Sequence, residues 1–501
     1  MERALTRRMS SSIALLLAAS FMTVSCSKEA EPKPMQERVK ITVHMIGGTP
    51  LPDPKEDPIK QELDKKLGID LAIRTFFPED YANQVKMGMA TDSNADLLYI
   101  GSRQEFVHYS KQQLLLDLSP YLDLLEPTLQ LIGKERLQLA EVGGGVYGLP
   151  RTVTAYQYSY WIRQDWLEKL KLNVPRTTDE FLTVVKAMAE RDPDGNGRRD
   201  TYGFSGRPNQ ALGPLFGAFG TTYPGSFYMK DNELINSLYD PATPKALSYI
   251  RSIFETKGVD PGIVSNTNLQ HKEKALQGQL GLFYFNWPNW YQEEYLSVNA
   301  DARWIPIDPP QGPNGDRYAY GKNVSESILV IPRSVGNDKV KLNKIIQLLN
   351  YVSSPEGNKL VMYGLAGKHY TETNGTVAVH EILKETLGYA YQLTGRDEMG
   401  YLRTKFPERE ADFTMAARQP FIPIYDGLIQ PPDGFRLDDA KRYIEQELWR
   451  FVYGQRPLDS YDGFLQELEE QFQYESGYVA SARQQIALRH EGKPEPKTSE
   501  E

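Results

Sequence analysis

The chain holds one cysteine in 501 residues, Cys26. A body without a second thiol has no internal disulfide, so its core alone must hold it. Histidine is sparse too: His44, His108, His271, His369, His380 and His490 show no HExxH or paired-ligand spacing. That speaks against a catalytic zinc. There is no G-x-S-x-G, no P-loop and no G-x-G-x-x-G after a predicted strand, so the common nucleophile and phosphate motifs are missing. Coincidental carboxylate pairs are certain among 66 acidic residues, so pairing alone identifies no glycosidase. No catalytic residue is assigned. Positive charge is also short, with 57 Lys and Arg against those 66 acids and a net charge of −9. A nucleic-acid binder would show a basic stripe, and none is expected here.

What is present begins at the N-terminus. MERALTRRM is basic, and SSIALLLAASFMTV (11–24) is apolar but too short to span a bilayer comfortably. This reads as an export signal over 1–26. TVSC resembles a bacterial lipobox, with Thr23 where that pattern usually has leucine; it would make Cys26 the lipidated first residue of the mature chain. SKEAEPKPMQER then forms a polar tether over 27–39. The remaining length suits two or three domain-sized units. With 40% hydrophobic and 25% charged residues it has the composition of a soluble globular protein.

The first folded stretch alternates in kind. KITVHMI (40–46) reads as a buried strand, PIKQELDKKLG as an amphipathic helix with Ile59, Leu63 and Leu67 on one stripe, and IDLAIRTF as a second strand. A helix carrying Tyr81, Val85 and Met89 follows, then the strand DLLYIG. This β-α-β-α-β order implies a parallel sheet, on which ligands sit beyond the carboxyl ends of the strands. Those ends lead into Gly47-Gly48-Thr49 and Gly101-Ser102-Arg103, where glycine would let backbone N–H groups approach a ligand but which read first as plain turns. GGGVYGLP (143–150) looks like a junction into a second α/β region. That region has a helix opened by Thr177 and Glu180 at capping-box spacing, strands at GLFYFN, ARWIPI and SILVIP, and mostly helices thereafter. EGKPEPKTSEE is a solvated tail.

After the capped helix comes DPDGNGRRD. Asp192, Asp194 and Asn196 fall at positions 1, 3 and 5 of an EF-hand loop, Gly197 at the sharp turn and Asp200 at position 9. Side-chain oxygens and the Arg198 carbonyl suit a hard cation, and a structural Ca2+ is expected. Position 12 is Gly203 rather than the bidentate Glu, and TYGFSG reads as a strand. The expectation is a helix–loop–strand brace.

LFYFNWPNWY (282–291) crowds six aromatic rings into ten residues. Pro288 ends the strand between Trp287 and Trp290, which places both indoles on a loop, where ligand contacts concentrate. Phe283 and Phe285 are assigned to core. Trp161 and Trp166, at helical spacing with Leu170, are expected to pack.

In order, the lipobox, VYGLP, WIRQDWLEKLKLNVPRTTDEF, DPDGNG and SSPEGNKLVMYGLAGKHYT resemble an extracellular solute-binding lipoprotein of the carbohydrate-importing ABC type. The likeness is to the large calcium-containing subgroup related to alginate-oligosaccharide binders. It implies an α/β fold of two periplasmic-binding-protein-like lobes, joined by hinge strands around a cleft. The N-terminal lobe would take 40–152 plus 320–372, the other 153–319 plus 373–490, with 491–501 a disordered tail. By the same resemblance Trp287 and Trp290 stack on sugar, with Asn286 as a hydrogen-bonding neighbour. Arg207, Tyr147, Arg151 and His369 are further candidates for the cleft. The implied partners are an oligosaccharide, the permease subunits of an ABC transporter and the membrane through a lipid anchor; no nucleic acid is expected, and the chain should be a monomer. An exported polysaccharide-processing enzyme, or a receptor for a peptide or other non-sugar solute, remain the alternatives.

Overall fold

The computed structural model describes residues 38–46, 51–91, 95–151, 157–286, 297–323, 327–380 and 393–490. The signal with Cys26, most of the tether, Trp287, Trp290 and the final tail lie outside the described residues.

β1 (Val39–Ile46) turns Ile41, Val43 and Met45 into the core, following the period-2 pattern of its sequence. α1 (Pro58–Leu67) starts because Asp57 accepts hydrogen bonds from the Ile59 and Lys60 N–H groups at 2.9 and 3.0 Å with Pro58 in the first turn. It stops at Gly68, which takes a left-handed φ of 65°. β2 (Ile69–Phe76) runs parallel to β1 over eight paired residues, from Val39–Ile69 to Ile46–Phe76. α2 (Pro78–Thr91) buries Tyr81, Val85 and Met89, and β3 (Leu97–Ile100) joins the other side of β1 in parallel. The strand Ile328–Val330 then enters antiparallel beside β3, and Leu149–Pro150 closes the row. One strand of this five-stranded sheet is thus supplied by a segment more than two hundred residues downstream of β3, and it runs against the rest.

The chain leaves this sheet after Pro150 and enters a three-stranded antiparallel sheet at Tyr158–Arg163, which is flanked by Leu282–Asn286 and Trp304–Ile307. The alternation along these strands serves two cores at once. Trp161, Phe283, Phe285 and Trp304 join the core of the first sheet, while Tyr160, Ile162, Leu282, Tyr284 and Ile307 join the second. Trp161 and Trp166 are both fully buried, as expected, but they do not share a helix: Trp161 lies on the strand Tyr158–Arg163 and Trp166 on the helix Gln164–Leu170, so they pack into different cores. The second core is completed by the helix Thr178–Glu190, which carries the expected capping box, by Ala242–Glu255 and by Leu437–Val452. A four-stranded sheet lies on this side, in the order Tyr320–Asn323, Phe421–Ile424, Phe227–Lys230, Glu233–Asn236. Two short helices, Glu398–Lys405 and Glu410–Ala417, send Tyr401, Leu402, Phe413 and Ala416 into the first core. The fold is an α/β pair of lobes.

Candidate functional site

A cavity of about 740 Å³ is lined from both sides of this arrangement. One wall is Gly101–Gln104, where β3 ends and the helix α3 (Arg103–Lys111) begins; Ser102 caps it by accepting the Glu105 N–H at 3.3 Å. The turn at Gly101-Ser102-Arg103 is therefore a strand end that meets the cavity. Arg103 itself is committed to the fold: its guanidinium donates to the carbonyls of Leu139 and Glu141.

The opposite wall comes from several segments of the second lobe. Arg207, Pro208 and Asn209 form the start of the helix Pro208–Gly217, with Pro208 in the first turn where its missing N–H costs nothing. Ser265, Asn266 and Thr267 lead into the helix Asn268–Leu276 through a second capping box, Thr267 with Gln270. Tyr223–Ser226 and Asp426–Gly427 form a third patch, and Lys441, Ile444, Glu445 and Leu448 come from the helix Leu437–Val452. Tyr474 and Tyr478 back the floor.

The cavity mixes charge and apolar surface, as sites for small polar ligands do. Arg207, Lys441 and Glu445 are exposed at its rim. Asp426 is half-buried, and burial pushes its carboxyl up to about 6 even though the Phe227 N–H, Ser226 and Lys441 favour the charged form. Its Oδ1 accepts the Phe227 N–H at 2.6 Å. Burial also raises the Tyr223 and Tyr478 phenols, with Glu445 adding to the first effect.

Of the residues expected at the site, Arg207 lines this cavity, and Asn286, Tyr147, Arg151 and His369 do not. Asn286 ends its strand half-buried, with an Oδ1 that has no hydrogen-bond partner among the described residues. Tyr147 packs against the first core. Arg151 lies over the Tyr99 ring at 5.5 Å, and its carbonyl accepts from Arg136 Nη2 at 2.8 Å. His369 is 2% exposed and braces its own turn, its Nδ1 accepting the Leu365 N–H at 2.8 Å. Trp287 and Trp290 fall outside the described residues. Sequence reasoning missed Asn266, Tyr223, Asp426 and Lys441. Only the Thr267–Gln270 capping spacing beside Asn266 offered a signal.

The loop 192–200 closes on itself. Asp192 accepts the N–H groups of Gly195, Asn196 and Gly197 at 3.1, 3.1 and 2.9 Å. Asn196 Nδ2 sits among the acids, donating to Asp194 Oδ2 at 2.7 Å and to Asp200 Oδ1 at 3.1 Å. With that amide between them, no three His, Cys, Asp or Glu side chains converge as an ion site among the described residues. Asp194 is nevertheless pushed up, first by burial and then by Asp192, which is itself held down by hydrogen bonds from Asp194 and from loop N–H groups. The missing twelfth ligand has a steric cause: a Cβ on Gly203 would stand 2.0 Å from the Val185 carbonyl oxygen. The exit segment is extended, bridging Tyr202 to Leu280 and Phe204 to Val259.

A family model described as bacterial extracellular solute-binding protein matches residues 50–359. Among curated proteins, lipoprotein LipO of Bacillus subtilis (strain 168) is 24% identical over 411 residues, 79% of this chain and 80% of LipO. Among solved structures, the alginate-binding protein AlgQ2 without calcium ion superposes with a TM-score of 0.70 at 17% identity, covering 90% of this chain and 98% of that one. The ABC-transporter substrate-binding protein FusA of S. pneumoniae in complex with kestose gives 0.69 at 18%, covering 91% and 100%. An EF-hand mutant of FusA is also among the similar structures, at 0.68 and 17%, covering 91% of this chain and 100% of that one.

Proposed function

Because the chain belongs to the family of bacterial extracellular solute-binding proteins, we propose that its two-sided cavity is where an oligosaccharide is captured for an ABC importer. The protein is a binding component of such a transporter and not an enzyme. That alginate-binding AlgQ2 and the kestose complex of FusA are structural relatives supports a carbohydrate cargo. The observation that carries the reading is the lining itself: the end of β3 on one side and Arg207, Asn209, Asn266 and Lys441 on the other. A ligand touching both walls favours the conformation in which they approach, and the permease reads that closed form. Arg207 forks onto carboxylate or paired hydroxyls. Trp287 and Trp290, in the segment that follows the strand Leu282–Asn286, supply stacking faces for the sugar, and Asn286, Tyr147, Arg151 and His369 are further ligand-binding candidates outside the cavity lining. The lobe boundaries follow the sequence reading except at two places: Tyr320–Asn323 pairs within the four-stranded sheet of the second side, and the helices 398–405 and 410–417 pack on the first core. The chain acts as a monomer held at the extracellular face of the cell membrane through a lipid on Cys26, a reading supported by the basic-apolar leader and by similarity to a lipoprotein.

A structural Ca2+ belongs to the same proposal. The donors of Asp192, Asp194, Asn196 and Asp200 and the Arg198 carbonyl suit a hard cation. A half-turn of the Asn196 amide would exchange its donor for an acceptor toward Asp194 and Asp200. The ion would cross-link the loop and relieve repulsion among its acids.

The test is a thermal-unfolding panel on residues 27–501 with kestose as a neutral trisaccharide and trimannuronate as an acidic one. A ligand that binds only the folded state stabilises it by about 2.7 kcal/mol at a hundredfold excess over Kd. A rise with recovery of unaltered sugar is expected. Cleaved sugar would restore the enzyme reading, and no response to any saccharide would move the cargo to another solute class.

A further inference from the structure

Behind the Arg207–Asn266 wall lies a carboxylate that touches no cavity space. Asp260 is 1% exposed. Its Oδ2 accepts from Ser205 Oγ at 2.8 Å and from Asn266 Nδ2 at 2.9 Å, its Oδ1 accepts the Gly262 N–H at 2.9 Å, and Lys274 Nζ donates to both oxygens at 2.8 Å. Its own N–H donates to the Phe204 carbonyl at 2.9 Å. Three separate stretches meet there: Phe204–Ser205 just before Arg207, the turn 260–266, and the helix Asn268–Leu276 that carries Lys274. A buried charge is costly unless paired and saturated with hydrogen bonds, and this one is both. Asn266 is thereby fixed in one orientation. Its Nδ2 is used by Asp260 and by Ser205 Oγ at 3.1 Å, while its Oδ1 faces Lys274 Nζ at 3.4 Å. On the other side, Gly206 lies so close to the following helix that a Cβ there would stand 2.5 Å from Ala211 Cβ. Arg207 therefore leaves the backbone from a point pinned on both flanks.

We infer that Asp260 is the positioning residue of the ligand site, holding Asn266, and with it the 265–267 turn that lines the cavity beside Arg207, in binding geometry through the Ser205–Asn266–Lys274 network. This rests on the cavity being the saccharide site. It requires that the loss from removing Asp260 pass through Asn266, which a simple stabilising role would not produce.

The experiment measures calorimetric affinity for whichever of the two trisaccharides binds, at a temperature where every variant is fully folded. Asp260→Asn is expected to weaken binding at least tenfold, and Asn266→Ala and Arg207→Ala to do the same. The double variant Asp260→Asn/Asn266→Ala should bind no more weakly than Asn266→Ala alone. Lys274→Gln, at a partly exposed position, repeats the test with about a threefold loss if Asp260→Asn does not fold. If Asn266→Ala and Arg207→Ala weaken binding while Asp260→Asn and Lys274→Gln bind like wild type, or if the losses simply multiply, the positioning role is overturned and the cavity assignment stands. If Asn266→Ala and Arg207→Ala bind like wild type, both are overturned.

Discussion

Asp426 is expected to make the stability of the fold depend on pH in the mildly acid range. A free carboxyl titrates near 3.9, whereas burial raises this one to about 6 against the opposing pull of Phe227 N–H, Ser226 and Lys441. The folded state therefore holds a proton that the unfolded chain has already released. Stability from this group is full below about 4, declines as pH climbs, and levels off above about 6. Asp426→Asn keeps an acceptor for the Phe227 N–H and removes the titration. Its unfolding midpoint, followed by circular dichroism from pH 4 to 7, should lack the decline seen in the parent chain. An unchanged slope would assign the effect to another acid. The residue scale also shows why single positions were hard to read. Arg207 was visible as a cation after a strand, but Arg103 and Arg151 are cations too, and they are spent on carbonyls and on an aromatic face. Nothing local distinguishes a guanidinium that faces a ligand from one that ties down a loop.

At the scale of elements, the loop 192–200 is the most independent piece. If it takes calcium, chelator should lower the unfolding midpoint of the wild-type chain. Asp194→Asn, which withdraws one carboxylate, should remove most of that sensitivity. The expected difference is about 2.7 kcal/mol when free calcium exceeds Kd a hundredfold; equal midpoints with and without chelator would leave the loop as a hydrogen-bonded turn. Restoring the EF-hand pattern is expected to fail. Gly203→Glu puts a side chain where the Val185 carbonyl already stands, so the variant should be destabilised by several kcal/mol, as forced overpacking is, with no gain in calcium affinity. The elements themselves were largely legible. Period-2 burial in β1, the Ile59 and Leu63 stripe of α1 and the Thr177 cap each follow from spacing that the chain enforces locally. The strand Ile328–Val330 is legible as a strand, and the family resemblance returns it to the first lobe, but its reversed direction and its pairing with β3 are decided by tertiary contact. The cavity has the same difficulty, since residues 101, 207, 266, 426 and 441 meet only in the folded chain.

For the whole molecule, the central observation is that one three-stranded sheet sends alternate side chains into two cores. The shared sheet ties the two cores together, and the chain passes from one sheet system to the other between Pro150 and Tyr158 and between Asn323 and Ile328. A ligand shifts an open–closed equilibrium only by the difference in its affinity for the two arrangements. A sugar that contacts both Ser102 and Arg207 has such a difference; one that lies on a single wall has none. The cysteine content makes this measurable, because residues 27–501 contain no thiol. Donor and acceptor dyes placed at Lys65→Cys on α1 and Gln446→Cys on the helix Leu437–Val452, both exposed positions outside the cavity lining, would report interlobe distance directly. Transfer efficiency should rise with saturating saccharide and return when the sugar is dialysed away. It should change much less when chelator is added without sugar, since the loop 192–200 lies within one lobe. Binding detected by calorimetry with unchanged transfer efficiency would mean that the ligand occupies one wall, and the closure mechanism would have to be given up.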